Sequence, residues 1–408
     1  MKVLTPLIVL LALSASSLVA KDSITNLEEY ISKNKKAQFD FDYKKIESES
    51  SKLRDSWIAP LRVNYSYSKN NSYGTIQTQQ TASIRMDQPI FQSGGIYYGN
   101  KFAEASKIYS NYSVDVAKRK IVKDAISLLM QIKQIDLKIQ KQKLSIKNSE
   151  ISLEQKKEQY INGQLSSGFL DNAILERNFL TQALYDIQTT KERVISKFEI
   201  LSDMDYKKVT IPYLKSITKE QFLKNNIVLN MSKSEIEKNR YNKNITLAKY
   251  LPRISLTAGY NWQSSSVMGT SFVTPETDFY DYGIKAYIPI DINSFRDIES
   301  SRVDFLKSKV VRDDKLVQVN AIFEQVMQNI DNYKKKKMLS VENIDIYKKL
   351  LSDTKILYDA GYKTSYDVDL LSNSVKIQEI DLKIFEIDKQ LELLTLYEMY
   401  KMEAVDVK

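Results

Sequence analysis

The chain has 408 residues, with 60 Lys and Arg against 51 Asp and Glu for a formal charge of +9, and it has no Cys and no His. Without Cys there is no disulfide, thiolate metal site or thiol nucleophile; without His the commonest general base and metal ligand are missing. No catalytic residue, metal site or cofactor is therefore expected, and the chain does not read as an enzyme. Only ten Gly and seven Pro interrupt it, which favours few, long elements over ordinary globular domains. The Lys residues are scattered among Glu and Asp. The one tight basic run, Lys334 to Lys337, sits inside a helical pattern and reads as facing water, so nucleic acid is not an expected partner.

Residues 1–20 read as a signal peptide, with Lys2, an apolar core from Leu7 to Leu13, and Ala20 or Ser17 as the last residue. The apolar run is too short to span a bilayer. A polar stretch over 23–56 predicts a helix of about thirty residues beginning near Ser23 or Thr25. The period then changes. Leu61, Val63, Tyr65 and Tyr67 alternate with Arg62, Asn64, Ser66 and Ser68, the mark of a strand with two different faces. Asn70 to Gly74 reads as a turn. A return strand over 76–88 puts Ala82, Ile84 and Met86 on one face and Thr81, Ser83, Arg85 and Asp87 on the other. Pro60 and Pro89 bracket the pair.

Gly94-Gly95 opens a helical pattern that continues to Tyr160, about 100 Å at 1.5 Å per residue. Its heptad seam is Ile121, Ala125, Leu128, Ile132, Ile135 and Ile139. After a turn at Gly163 a helix over 168–202 carries Leu180, Leu184, Ile187, Val194, Phe198 and Leu201 on one stripe. Residues 203–217 form a short break with a candidate strand at 207–213, and 218–249 resume a helix.

The same order then recurs. Ile254 to Trp262 alternate as the first strand did, a longer loop is read from Ser264 to Asp278, and Tyr282, Ile284, Ala286 and Ile288 face one side of a return strand. Pro252 and Pro289 stand where Pro60 and Pro89 did. Asn293-Ser294 is expected to cap the next long helix, with a seam of Leu316, Val319, Phe323, Val326, Ile330 and Tyr333. A last helix carries Ile377, Ile380, Ile384, Ile387, Leu391 and Leu394. Its turn, at Gly361, shares the frame Tyr-x-x-Gly-x-x-[Ser/Thr]-Ser with the first. Tyr358 and Gly361 each lie 198 residues after Tyr160 and Gly163. Thr364 or Ser365 is the expected cap after it.

The fold class that follows is mostly α with a membrane β-barrel portion, written as two repeats. The first, 21–217, holds a helix, strands at about 60–89, a long helix over 95–161, a tip turn at 162–167, a helix over 168–202 and a short linking segment. The second, 218–400, holds a helix, strands at about 252–289, a long helix over 294–360, a tip turn at 361–365 and a helix over 366–400. Residues 401–408 are a tail.

The four alternating strands suit tilted bilayer-spanning strands, apolar toward lipid and polar toward a lumen. Four strands cannot close a barrel, and an open edge in lipid leaves backbone groups unsatisfied. Three copies would give twelve strands and a solute channel, whereas two would give only eight. Helices of about 100 Å gain a purpose if they cross a periplasm.

Four motifs in order on this frame resemble those of the TolC-type outer-membrane efflux proteins. Met86 to Gly95 resembles the Gln-Pro-[Leu/Ile]-Phe-x-x-Gly box, Leu251 to Leu256 the Leu-Pro-x-[Leu/Ile]-Ser-Leu strand entry, and the two Tyr-x-x-Gly turns the family's tips. The resemblance implies a homotrimer with a 12-stranded barrel in outer-membrane lipid and an α-helical tunnel through the periplasm. It implies a passive exit duct of a tripartite efflux or type I secretion system, docking to a periplasmic adaptor and an inner-membrane transporter. The resemblance places the tunnel gate at Tyr358, Lys363 and Asp367. Lys363 stands where Arg is typical, a second acidic position falls on Leu370 with Asp369 beside it, and the first tip has Phe169 where an acid is expected, with Asp171 as the substitute. It places adaptor docking at Gly163, Gln164, Leu165 and Ser166 and at Gly361, Tyr362, Lys363 and Thr364, with Leu165 and Tyr362 as exposed anchors. The competing reading is a periplasmic coiled-coil adaptor or structural protein, which would carry one helical hairpin and more Gly.

Overall fold

The computed structural model describes residues 27–72, 74–268 and 273–401. The signal peptide read at 1–20, the caps Ser23 and Thr25, and the tail beyond Lys401 lie outside the described residues. The elements are α1 (Lys33–Arg54), β1 (Arg62–Ser72), β2 (Thr75–Phe91), α2 (Gly95–Ile161), α3 (Ser167–Leu201), α4 (Lys219–Lys224), α5 (Ile227–Lys249), β3 (Arg253–Met268), β4 (Val273–Tyr287), α6 (Ser294–Asp359) and α7 (Ser365–Met399). The chain is mostly helical with one small antiparallel sheet. No described helix is long and apolar enough to cross a membrane.

The sheet has the order β1-β2-β3-β4, every pair antiparallel. Residues opposite one another in such a ladder share a face. Val63, Ile84, Tyr260 and Tyr280 therefore form one apolar row, and Met86, Ala258 and Tyr282 another. Among the described residues no layer packs over this face: Val63, Tyr65, Tyr67, Ile84, Leu256, Tyr260, Tyr280, Tyr282 and Ile284 are all exposed. The opposite face carries Arg62, Asn64, Ser83, Arg85, Thr257, Asn261 and Asp281.

Strand boundaries differ from the sequence reading: β1 runs on through Asn70 and Asn71 to Ser72, inside the stretch read as a turn, and β4 ends at Tyr287, before Ile288. Pro89 does not end β2; it pairs with Ser255, and a bulge between Pro89 and Phe91 absorbs the missing N–H. The loop read at Ser264 to Asp278 is mostly strand, because β3 runs to Met268 and β4 starts at Val273, with a register shift between Gln263 and Ser265. The run Ser264-Ser265-Ser266 has no apolar and polar alternation, so the two-residue period carries no hydrophobic signal there.

The helices differ at their ends. The first is 22 residues, not about thirty. Buried Ser32 stops it by donating its backbone N–H to the Leu201 carbonyl (2.8 Å) and accepting from the Lys35 N–H, while the Lys33 N–H reaches the Asp203 carboxylate at 2.9 Å. The helix read over 218–249 is two. Thr218 and Gln221 form a capping box on α4, and fully buried Asn226 accepts from the Val228 and Leu229 N–H groups to start α5. At the break Asn226 is extended and bridges Tyr400, and the Asn225 carbonyl accepts from the Lys401 N–H at 2.9 Å. Residues 207–213 form no strand; this linker is pinned by the Leu214 N–H on Gln390 (2.7 Å) and the Tyr30 hydroxyl on the Thr210 carbonyl (3.1 Å). At α6, Asn293 holds the cap position without a side-chain cap bond. Its own N–H goes to Asp291 and its side chain accepts from Arg296.

α2, of 67 residues and about 100 Å, packs against α3, α5, α7 and α1, and α6 packs against α7 and α5. The core sits midway along these long helices, where the short ones meet end to end. Phe222 of α4 lies on Phe323 of α6 with ring centres 5.5 Å apart, and Leu214, Ile126, Met130, Leu393, Leu394 and Leu396 surround them. Burying Phe222 completely stabilises this knot by about 1.5–3 kcal/mol. Largely buried Arg119 closes it by donating to the Tyr400 carbonyl (2.6 Å) at the end of α7.

Candidate functional site at the helical tips

Both tips are built by one local device. Gly163 and Gly361 have φ of +72° and +80°. The Gly163 N–H bonds the Tyr160 carbonyl (3.0 Å) and the Gln164 N–H the Gln159 carbonyl (2.8 Å). At the second tip the Gly361 N–H bonds Tyr358 (2.9 Å) and the Tyr362 N–H bonds Leu357 (2.8 Å). This paired closure of the last helical carbonyls is the Schellman arrangement, which needs a left-handed residue at the glycine position. A Cβ at either glycine would meet nothing within 4 Å, so backbone conformation alone requires them.

Thr364 starts α7. Its side chain accepts from the Asp367 N–H, while the Asp367 carboxylate accepts from the Thr364 N–H at 3.0 Å and its hydroxyl at 2.9 Å. The Thr364 N–H holds the Asp367 carboxyl below the ordinary carboxylate range, with nearby Lys363 assisting. Asp367 thus works as a cap as well as a surface charge. Tyr358, Lys363, Asp369 and Asp171 are exposed and make no side-chain hydrogen bond or ion pair among the described residues. Tyr362, expected as an anchor, is 81% exposed; Leu165, the other, is half-buried, while its neighbours Ile161 and Phe169 are the exposed apolar side chains of the first tip. Gln164 and Ser166 are exposed.

The contact that ties the two tips together was not read from the sequence. The Tyr366 hydroxyl, in the first turn of α7, donates to the Glu158 carboxylate near the end of α2 at 3.0 Å, and the carboxylate bond pushes the phenol's pKa up. Its only sequence signal is a tyrosine two residues after a cap, indistinguishable from one facing water.

Behind the tips α2 and α7 run antiparallel on a polar ladder. Asn148 meets buried Asn373 at 2.8 Å, the Lys141 ammonium lies 2.7 and 2.8 Å from the Asp381 carboxylate oxygens, and Gln134 donates to Asp388. The α2 members recur every seven residues, so they share one helical face. Burial outweighs the Gln134 bond and pushes the Asp388 carboxyl up. Beyond Gln134 the ladder gives way to the apolar knot. Among the described residues no group of His, Cys, Asp and Glu could hold a metal ion.

Residues 219–399 match the family model for the outer membrane efflux protein. No curated protein matches by sequence. Among solved structures, the chain superposes on the outer membrane protein VceC from Vibrio cholerae with a TM-score of 0.73 at 13% identity, covering 92% of this chain and 95% of that one. For the Campylobacter jejuni CmeC outer membrane channel the TM-score is 0.72 at 11% identity, covering 91% and 84%. For the Neisseria gonorrhoeae MtrE outer membrane channel, solved in its open state, it is 0.62 at 12% identity, covering 91% and 87%. At these identities the likeness is one of fold, and it extends over nearly the whole chain.

Proposed function

We propose that this chain, a relative of the TolC-type outer-membrane efflux proteins, is the exit duct of a tripartite efflux or type I secretion system. Three copies would join edge to edge into a twelve-stranded barrel, and their helices would continue it as a tunnel through the periplasm. The observation that carries this reading is the sheet: four antiparallel strands in the order β1-β2-β3-β4, so that β1 and β4 are its outer strands, and an apolar face that no described residue covers. Strands of 11, 17, 16 and 15 residues are long enough to cross a bilayer at a tilt. Such a sheet is tolerated in lipid only when its edges are closed, which supports self-association through β1 and β4. The duct is passive; a pump in the inner membrane supplies the energy.

The tips lie at the far end of the helices from the sheet. They serve as the docking point for a periplasmic adaptor, through Gly163, Gln164, Leu165, Ser166, Gly361, Tyr362, Lys363 and Thr364. The entrance is shut by the second tip, with Tyr358, Lys363, Asp367 and Asp369 as its charged and aromatic lining, Asp171 facing it from the first tip, and Tyr366–Glu158 as the tie within each copy. The test is reconstitution. Protein extracted from outer membranes and added to a planar bilayer is expected to give discrete conductance steps; a bilayer that stays silent while the protein inserts contradicts the duct.

A further inference from the structure

One row across the polar face of the sheet reads Arg62, Arg85, Gly259, Asp281, one residue from each strand in register. Arg85 and Asp281 are separated by the whole width of β3, yet their side chains meet: the Arg85 Nη2 lies 3.5 Å from the Asp281 carboxylate. Gly259 makes this possible. A Cβ there would stand 2.7 Å from the Asp281 Oδ1, so the carboxylate lies flat over the space that a side chain would fill. Asn261 donates to the same oxygen at 2.9 Å, and Asp87 lies 3.6 Å from the Arg85 Nε.

Among the described residues that strand pairing places in register on this face, the charged ones stand in the helix-side rows. There stand Arg253 and Lys285, then Asp87, then the Arg62–Arg85–Gly259–Asp281 row. The next two rows outward, Asn64–Ser83–Asn261–Phe279 and Ser66–Thr81–Gln263–Thr277, are uncharged. Four bases thus oppose two acids within a belt of a few rows. The acids are held on Arg85, whereas Arg62 makes no ion pair among the described residues. Rings of fixed charge in a narrow pore focus potential and sort ions by sign, with Arg and Lys favouring anions.

We infer that this belt is a specificity-determining collar of the duct, net basic and favouring anionic solutes, with Asp281 as the residue that moderates it. The inference rests on the exit-duct reading, in which the polar face lines the lumen. Three copies repeat the belt around the bore. Gly259 is a positioning residue that keeps the Asp281 carboxylate on Arg85 and out of the lumen.

The test is the zero-current potential of single channels in a planar bilayer under a potassium chloride gradient. Asp281→Asn removes one acid per copy and is expected to raise the chloride-to-potassium permeability ratio by about twofold or more. Arg62→Gln removes one base per copy and is expected to lower it. Ratios that stay at the wild-type value, or that move in the same direction for both variants, overturn the collar. If Asp281→Asn opens no channels, Arg62→Gln decides alone. Silence from the wild-type protein sinks the exit duct itself, whereas open channels with unmoved ratios sink only the collar.

Discussion

Asp367 and Asp388 sit on the same helix, and their surroundings push them in opposite directions. The Thr364 N–H depresses the Asp367 carboxyl, so its capping contribution is present above the ordinary carboxylate range and is lost as pH falls through the depressed value. Burial raises Asp388, so its contribution is full below the ordinary range and is lost as pH rises through the raised value. We predict that Asp367→Asn costs up to about 1 kcal/mol at neutral pH and progressively less in acid. Asp388→Asn should stabilise at neutral pH and become silent in acid. Urea denaturation midpoints taken across this range check both, and differences that do not vary with pH would refute the assignments. At this scale the sequence was most legible where backbone geometry dictates the residue type. Gly163, Gly361 and Thr364 were each found that way. The Tyr366–Glu158 tie was hidden because its partner comes from an element 208 residues away.

The long helices were recognisable from their period, but only one face at a time. The seam read on α2 contains Ala125, Ile132 and Ile135, which are buried; Val122, Ile126, Leu129 and Met130 are equally buried and were not in it. A helix packed between α7 on one side and α1, α3 and α5 on others has more than one apolar stripe, which a single heptad count cannot represent. Leu316, by contrast, was in a seam and is exposed in the single chain. The break at Asn225–Asn226 is hidden in the sequence because Asn is tolerated inside a helix as well as favoured at its N-cap, so a single Asn pair does not mark a boundary. The polar ladder between α2 and α7 sets which residues of the two hairpins face each other, as single polar positions do in coiled coils. Asp381→Ala leaves the Lys141 ammonium without its carboxylate and is expected to cost about 1–3 kcal/mol, since the pair is only partly buried. The exchange Lys141→Asp with Asp381→Lys should recover most of that loss. Denaturation of the two single variants and the double checks this; strict additivity would show that the pair is not coupled.

For the whole molecule, the alternating periods revealed four strands and which residues share each face. Closure is not a property of one chain, and no stretch of sequence states a copy number. What the fold contributes is the single sheet order with two outer edges, and an apolar face that none of the described residues covers. If that face meets lipid, Arg at Ile84, Leu256 or Ile284 should each cost about 2–4 kcal/mol near the bilayer midplane, visible as loss of assembled complex from the outer-membrane fraction. Normal assembly of all three variants would reverse the facing of the sheet. The most direct measurement is the mass of the complex extracted from outer membranes in mild detergent, by light scattering with the detergent contribution subtracted. The exit duct predicts three chains per particle, resistant to dissociation because twelve strands close on themselves. A monomer, or a soluble periplasmic species absent from the membrane fraction, would contradict it.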